Sequence, residues 1–408
     1  MLIYVIAYFI ARDNLSSKSI GFARAVAGRA RRYLAALLRL REIDENWIAT
    51  AILYVLSRGS LTLRAPSGIT VKLARKEFQQ LILNYLLLRE LAGAKRSQAF
   101  MRLALTPNIK ETLEALSRAL NYCKQLARLE DTSTMGALLD ALLSGASGAL
   151  EVVDSLAVAL LLASRGAKVY VNERRGPDAV VVRAASGDVA ALFRAKCLTY
   201  SVYETFGEMQ YDIKEVLGDP RGRGVVDIGA NVGDSAIFFA LKGAGKVVAV
   251  EPIPNVARCA QENVRLNGLD DRIVILNAAI GAGDKVEVPC EVPLHTSGGF
   301  STLATRGDCE VPSVKLAELT DKVGDPYVLK VDCEGCEVYL IRDQLDAVKR
   351  FEHVIVEFHP YLTNVKAGEL VNVLEASGFR CRDLRRVGEV VTVYCHNRIY
   401  PANIKSGT

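Results

Sequence analysis

No stretch of this 408-residue chain is apolar for long enough to cross a bilayer. A spanning helix needs about 20 such residues, and the longest N-terminal run is Met1–Ala11. That run has no basic segment before it and no obvious cleavage site after it. A secretory leader is therefore not expected, and a buried strand or helix start is. A charge excess is also missing. The 51 Lys and Arg against 46 Asp and Glu leave a net charge of +5, too little by itself to argue for a nucleic-acid or membrane partner. No Pro/Ser-rich or low-complexity linker separates the two halves, which favours a packed interface over a tether. The nine cysteines show no framework spacing, and their odd number leaves at least one unpaired or intermolecular. This pattern fits a reducing cytoplasm. Cys333-Glu-Gly-Cys336 is a lone C-x-x-C with no second pair to complete a zinc site, so no metal site is expected; a redox disulfide stays open.

The length suggests two or three domains, and half of the residues are apolar, as in a globular protein with a sizeable core. From Ile20 to Glu42, apolar residues recur at three- and four-residue steps, which predicts a helix. Arg24, Arg31, Arg32, Arg39 and Arg41 decorate its other side. Such a face is either simply solvated or a surface for RNA or an anionic membrane. Apolar helical patterns follow at Ile43–Leu56, Glu77–Leu91, Glu111–Leu129 and Met135–Ala163. Two β-hairpins are expected, one about Pro66-Ser67-Gly68 and one about Gly176-Pro177-Asp178. Each follows a helix that ends in Ser-Arg-Gly, and the two copies lie 107 residues apart. This repeat is either a degenerate duplication of a helix-plus-hairpin unit or a coincidence.

The most informative stretch is Val225–Pro252. It reads as a β-branched strand, a glycine turn at Asp227–Gly233, a helix from about Asp234, and a second strand ending on Glu251. Gly229 and Gly233 allow a sharp bend and a close ligand. Asp234 and Ser235 are expected to cap the helix, whose free N–H groups attract an anion or carboxylate. Glu251 is placed to accept two ribose hydroxyls. The dinucleotide fingerprint G-x-G-x-x-G is absent, because Asn231 occupies the place where a middle glycine would admit a pyrophosphate. Asp227 could receive an ammonium group. A ligand with a ribose and an amino-acid tail but no pyrophosphate fits these residues, and S-adenosylmethionine is such a molecule.

DIGANVGD, AVEP, NAAIG (Asn277–Gly281), LKVDCEGCE (Leu329–Glu337) and VIVEFHP (Val354–Pro360) together resemble the FkbM-type S-adenosylmethionine-dependent methyltransferases, over roughly residues 200–394. The resemblance implies an α/β class I methyltransferase fold: a Rossmann-like, seven-stranded sheet whose last strand is antiparallel. The sequence thus divides into a mainly helical N-terminal region with β-hairpins, 1–165, and a methyltransferase domain, 166–408, whose pre-core segment is 166–220.

Ligands of open α/β sheets bind outside the carboxyl ends of the strands. Polar residues at those ends are Asp227, Glu251, Asp332 with Glu334, and Glu357 with His359. Ala278 and Ala279 offer a small wall for an adenine ring or are plain core. The loop His295–Thr302 could close over an acceptor. Lys330 and Asp332 share a strand face, and Glu334 joins them if the chain stays extended to Gly335. With His359 as a base or a supporting partner, these residues are the candidate catalytic group. The expected activity is O-methylation of a hydroxyl on a sugar, lipid-linked or other small-molecule acceptor, the acceptor class coming from the resemblance. The alternatives are an RNA methyltransferase that uses the arginine helix, an NAD-dependent dehydrogenase, and a non-catalytic binding module.

Overall fold

In a computed structural model, the described residues are 61–64, 70–73, 140–141 and 149–400, apart from 177, 185, 214–220, 295–296, 298–300 and 302–306. The chain divides into two units, 1–143 with 147–153, and 144–146 with 154–408. In the first unit, β1 (Leu61–Arg64) and β2 (Thr70–Leu73) pair antiparallel with Leu61 opposite Leu73, as the first expected hairpin requires. The arginine helix at 20–42 and the helical stretches at 43–56, 77–91 and 111–129 lie outside the described residues.

Helix α1 (Ala149–Ser164) leads into β3 (Lys168–Val171) and β4 (Ala179–Arg183), the second expected hairpin. A third strand, β5 (Ala190–Arg194), extends this hairpin into a three-stranded antiparallel sheet. The sequence reading missed β5, a short run between Asp188 and a basic turn. Helix α2 (Tyr200–Phe206) then leads toward the main sheet.

The main sheet is built from β6 (Gly224–Ile228), β7 (Lys246–Val250), β8 (Ile273–Leu276), β12 (Pro326–Val331), β13 (His353–Phe358), β14 (Phe379–Val387) and β15 (Val390–Asn397). A second small sheet is formed by β9 (Ala279–Ile280), β10 (Lys285–Val288) and β11 (Cys309–Val314). The end of the segment Cys290–Val311 is thus part of a strand. The intervening helices are α3 (Asp234–Leu241), α4 (Pro254–Leu266), α5 (Leu316–Val323), α6 (Glu337–Asp343), α7 (Leu345–Val348), α8 (Pro360–Thr363) and α9 (Ala367–Ala376).

Strand order in the main sheet is β14-β15-β13-β12-β6-β7-β8. The five strands from β13 to β8 are parallel, and β15 is antiparallel to both of its neighbours. This is the seven-stranded, Rossmann-like α/β sheet with an antiparallel last strand that the sequence led us to expect. The central strands are apolar because helices cover both faces; all five residues of β6 are buried. Burying a Val, Leu or Ile side chain contributes about 1.5–3 kcal/mol, against about 1–2 kcal/mol for ordering each backbone residue. The strands are therefore stable only as a packed set. The order in which strands are added reverses between β6 and β12, and this switch point leaves a crevice at their carboxyl ends.

The cysteines depart from expectation. Eight of the nine form four pairs: Cys197–Cys259, Cys290–Cys309, Cys333–Cys336 and Cys381–Cys395. Their partners are brought together by the fold, as where Cys381 faces Cys395 across β14 and β15. Disulfides are commonest in oxidising compartments and in intracellular proteins of hyperthermophiles, and the ninth cysteine, Cys123, lies outside the described residues. Among the described residues, no helix is long and apolar enough to cross a membrane.

Candidate active site

The crevice holds a cavity of about 520 Å³, within the usual range for a small-molecule site. At one end stand Glu251, Ile253, Ala278, Ala279 and Ile280; at the other stand Glu204, Asp332, Glu334 and Glu357. Gly229 and Asn231, from the turn between β6 and α3, line the cavity as well.

The glycine turn is tied to both neighbouring strands. Gly229 and Ala230 donate their N–H groups to Val250 O, and Asp332 donates its own to Ile228 O. Gly229 has φ +78°, and a Cβ built there would stand 1.7 Å from the Asp332 carbonyl oxygen. Only glycine fits this close approach. Gly233, at φ +82°, is the N-cap of α3, so the expected capping by Asp234 or Ser235 is corrected. The left-handed turn moves both residues inside the helix, where their side chains do other work. Asp234 accepts hydrogen bonds from Ser201 (2.9 Å) and Thr205 (2.5 Å), which ties α2 to α3. Ser235 donates to Asp227 at 2.6 Å.

Asp227 is fully buried and does not line the cavity. Its second oxygen stands 3.1 Å from Lys330 Nζ, so it is not free to receive a ligand's ammonium group as expected. Lys330 also donates to Gly229 O at 2.6 Å. It comes from β12, a strand distant in sequence, and fixes the turn from below. Burial alone would lower the Lys330 pKa, but Asp227, Asp332 and Asp234 outweigh it and raise it. The ammonium is therefore a fixed charge, not a proton donor at neutral pH.

Glu251 sits where expected. Its two oxygens accept the N–H groups of Ile253 (2.9 Å) and Asn231 (3.0 Å), leaving each a further lone pair facing the cavity. Burial pushes its pKa up to about 7, against the pull of those two N–H groups. Ala278 and Ala279 line the same end. Of the loop 295–302, Ser297 donates to Asn231 Oδ1 at 3.2 Å and Ser301 donates to Glu334 O at 2.5 Å. His295 lies outside the described residues.

The acid end gathers the expected catalytic residues by an unexpected route. Glu334 does not continue an extended chain; it has φ +53°, in the turn that Cys333–Cys336 closes. It still faces His359. That ring is 2% exposed, with Nε2 3.5 Å from Glu334 Oε1, 3.6 Å from Glu357 Oε1 and 3.9 Å from Asp332 Oδ1. On the other side, Nδ1 stands 3.4 Å from Glu337 Oε1. Burial opposes the charge on His359, but Glu337 and Glu357, then Asp332 and Glu334, raise its pKa to about 11. Burial, and then repulsion from Glu357, raises Asp332 to about 8, while Lys330 and His359 pull it down.

Sequence reasoning missed Glu204, Tyr361 and Thr392. Burial and the nearby Glu357 raise Glu204 to about 7, although it is paired with Arg385 at 2.9 Å. Tyr361 donates to Glu334 Oε2 at 2.9 Å, and Thr392 donates to Glu357 Oε2 at 2.7 Å. Glu357 itself was visible, since Glu357 and His359 are two apart at a strand end and so point the same way.

Residues 227–381 match the family model described as the methyltransferase FkbM domain. Three curated proteins are similar to parts of the chain. The ribosomal protein L11 methyltransferase of Chloroflexus aurantiacus is 39% identical over 62 residues, 15% of this chain and 19% of that protein. The hexuronic acid methyltransferase AglP of Haloferax volcanii is 26% identical over 136 residues, 33% of this chain and 54% of that protein. The protein-L-isoaspartate O-methyltransferase of Methanopyrus kandleri is 32% identical over 149 residues, 35% of this chain and 61% of that protein. The chain thus spans between 19% and 61% of the length of these relatives. Among solved structures, the precorrin-6y C5,15-methyltransferase of Geobacter metallireducens is 14% identical with a TM-score of 0.31, covering 47% of this chain and 88% of that one.

Proposed function

We propose that this chain, whose residues 227–381 match the methyltransferase FkbM domain, transfers a methyl group from S-adenosylmethionine to a hydroxyl of a sugar or similar polyhydroxylated acceptor. The observation that carries this reading is one cavity joining Glu251 and the glycine turn to a cluster of carboxylates. The residues fit the cofactor. Glu251 has free lone pairs for the two ribose hydroxyls, Ile253, Ala278, Ala279 and Ile280 give an apolar wall for the adenine, and Gly229 and Asn231 of the glycine turn line the same cavity, where the amino-acid tail would lie. Bound there, S-adenosylmethionine supplies an electrophilic methyl group on a sulfonium.

What the chain must add is alignment and a place for the acceptor's proton. Asp332 and Glu334 present carboxylate oxygens to the cavity, and a hydroxyl donates to such oxygens. Burial makes the Asp332 carboxylate more basic than a free one, so its ionised form takes up the acceptor's proton the more readily. The density of carboxylates favours an uncharged acceptor over an anionic one. One relative, AglP, has a sugar acid in its name. This supports the choice of a sugar-like acceptor, although the present site suits a neutral ring better.

Calorimetry of the full chain with S-adenosylmethionine and, separately, with NAD tests the cofactor. Binding of the first and not the second is expected; NAD binding alone would make the protein a dehydrogenase instead. Mass spectrometry after incubation with methyl-labelled cofactor and a panel of neutral and acidic sugars then tests the acceptor. Label found only on nucleic acid or protein would overturn the sugar reading.

A further inference from the structure

The arrangement around His359 contains more ligand-type oxygens than the fold consumes. Each of three carboxylates is held by the protein through one oxygen and presents the other to the same imidazole nitrogen. Asp332 has Oδ2 4.0 Å from Lys330 and Oδ1 toward His359 Nε2. Glu334 accepts from Tyr361 through Oε2 and turns Oε1 toward Nε2. Glu357 accepts from Thr392 and Gln210 through Oε2 and again turns Oε1 toward Nε2. A fourth carboxylate, Glu337, is 1% exposed, holds the backbone N–H of His359 at 2.9 Å and faces Nδ1.

None of the Nε2 contacts is a formed hydrogen bond. They are 3.5, 3.6 and 3.9 Å long, whereas an N–H···O bond is about 2.7–3.2 Å. Nδ1, buried, has no hydrogen-bond partner either. A nearly fully buried imidazole is thus aimed into a ring of oxygens without bonding to any of them. One ligand atom from each of Asp332, Glu357 and His359 lies within 4.8 Å of the others. In an octahedral shell with bonds of about 2.1 Å, adjacent ligands stand about 3.0 Å apart and opposite ones about 4.2 Å. The observed separations of 3.6 and 3.9 Å from Nε2 fall between these.

We propose that Asp332, Glu357 and His359, with Glu334 beside them, bind one divalent cation of the Mn²⁺ class at the acid end of the cavity. Oxygen ligands with a single imidazole suit such an ion better than a thiophilic one. The Cys333–Cys336 pair is already closed and supplies no thiolate. Glu337 stands behind the ring, 3.4 Å from Nδ1, on the side from which carboxylates orient metal-bound histidines. Ligation needs the neutral imidazole, so uptake of the cation releases the ring proton. The ion also offsets the excess of four carboxylates over one imidazole and one lysine. Asp332, Glu334 and Glu357 line the cavity, so a ligand position of the ion opens where the acceptor would lie. That the ion holds an acceptor hydroxyl rests on the methyl-transfer reading; that the ion binds does not.

The test adds Mn²⁺ alone to the full chain, followed by electron paramagnetic resonance, with S-adenosylmethionine calorimetry on the same preparation. One saturable Mn²⁺ per chain is expected, with magnetic coupling to an imidazole nitrogen. His359→Gln should abolish that coupling, and His359→Gln and Glu357→Gln should each weaken uptake at least about tenfold. The coupling in the unmodified chain is decisive even if a variant does not fold. No saturable Mn²⁺ in a chain that binds S-adenosylmethionine overturns the cation site and leaves the methyl-transfer reading intact. Uptake without nitrogen coupling overturns it as well. Mn²⁺ bound with that coupling in a chain that ignores S-adenosylmethionine supports the site and removes the cofactor reading.

Discussion

Replacing Gly229 by alanine adds one methyl group at the most crowded point of the site. Gly229 holds φ +78°, and its Cβ would stand 1.7 Å from Asp332 O, 2.7 Å from Asp332 C and 3.4 Å from Cys333 Cα. All three are backbone atoms, so no side chain can swing away; the carbonyl of Asp332 must move by more than an ångström, or the turn must open. A left-handed conformation costs an L-residue about 1–2 kcal/mol, and overpacking adds about 1–3 kcal/mol. Gly268→Ala supplies the control. Gly268 has φ +66° with nothing within 4 Å of its would-be Cβ, so it carries the conformational cost without the clash. We expect Gly268→Ala to lose about 1–2 kcal/mol and Gly229→Ala to lose about 2–5 kcal/mol in urea unfolding. Gly229→Ala should also lose calorimetric S-adenosylmethionine binding, and any residual turnover should drop about 10²-fold through the shift of Asp332. If the two variants are equally stable and both bind the cofactor, the interlock between the glycine turn and Asp332 is wrong.

Cofactor affinity should rise with pH, because burial holds Glu251 protonated up to about 7 and its ionised form accepts both ribose hydroxyls. Calorimetry should show about tenfold weaker binding at pH 6 than the plateau above pH 8, and Glu251→Gln should remove the slope; a flat profile in the unmodified chain would exclude Glu251 as the ribose acceptor. The sign for the unliganded fold is opposite. A carboxyl raised above its unfolded value of 4.5 contributes stability at low pH that is lost as pH rises through about 7, so the Glu251 contribution to urea stability should fall across that range. Asp332→Asn should bind S-adenosylmethionine normally and lose about 10²–10⁴-fold in methyl transfer; near-normal turnover would leave Asp332 a structural acid. Removing Cys197–Cys259, which closes a 62-residue separation, should cost about 4 kcal/mol, while removing Cys333–Cys336, separated by three, should cost under about 2 kcal/mol. The second change should lower turnover more than stability, because that pair closes the turn carrying Glu334, and equal effects of the two on unfolding would contradict this account.

The strand–turn–helix–strand at Val225–Pro252 was readable because everything that makes it is local: a β-branched run, two glycines, a distal acid. The same holds for Glu251, whose position at a strand end follows from spacing. Asp227 was misread because its partner Lys330 arrives from β12, 103 residues on, and nothing near Asp227 announces a buried counter-charge. Asp234 and Ser235 have good capping chemistry, but the left-handed Gly233 takes the cap. Glu334 was placed in the right company for the wrong reason, since an extended chain was expected and a turn at φ +53° delivers it. The cysteine pairs were invisible because strand register and helix packing, not spacing, bring the sulfurs together. Tyr361, Thr392 and Glu204 carry no motif. Their roles arise only where three distant segments meet at the carboxyl ends of the strands.

The Cys197–Cys259 bond makes a closed ring of the chain between those two residues, and that ring contains β6, the glycine turn, α3, β7 and Glu251. A ring cut once does not fall apart. Any single peptide bond broken between Cys197 and Cys259 leaves two pieces still joined through sulfur, so the glycine turn and Glu251 survive a nick as one covalent body. Such a break would be silent on a denaturing gel until a reductant is added, and then two fragments would separate. A break in β12 or β13 lies outside the ring and would divide the chain outright. The glycine turn and Glu251 are thus covalently fail-safe, and the strands that lead to Asp332 and Glu357 are not.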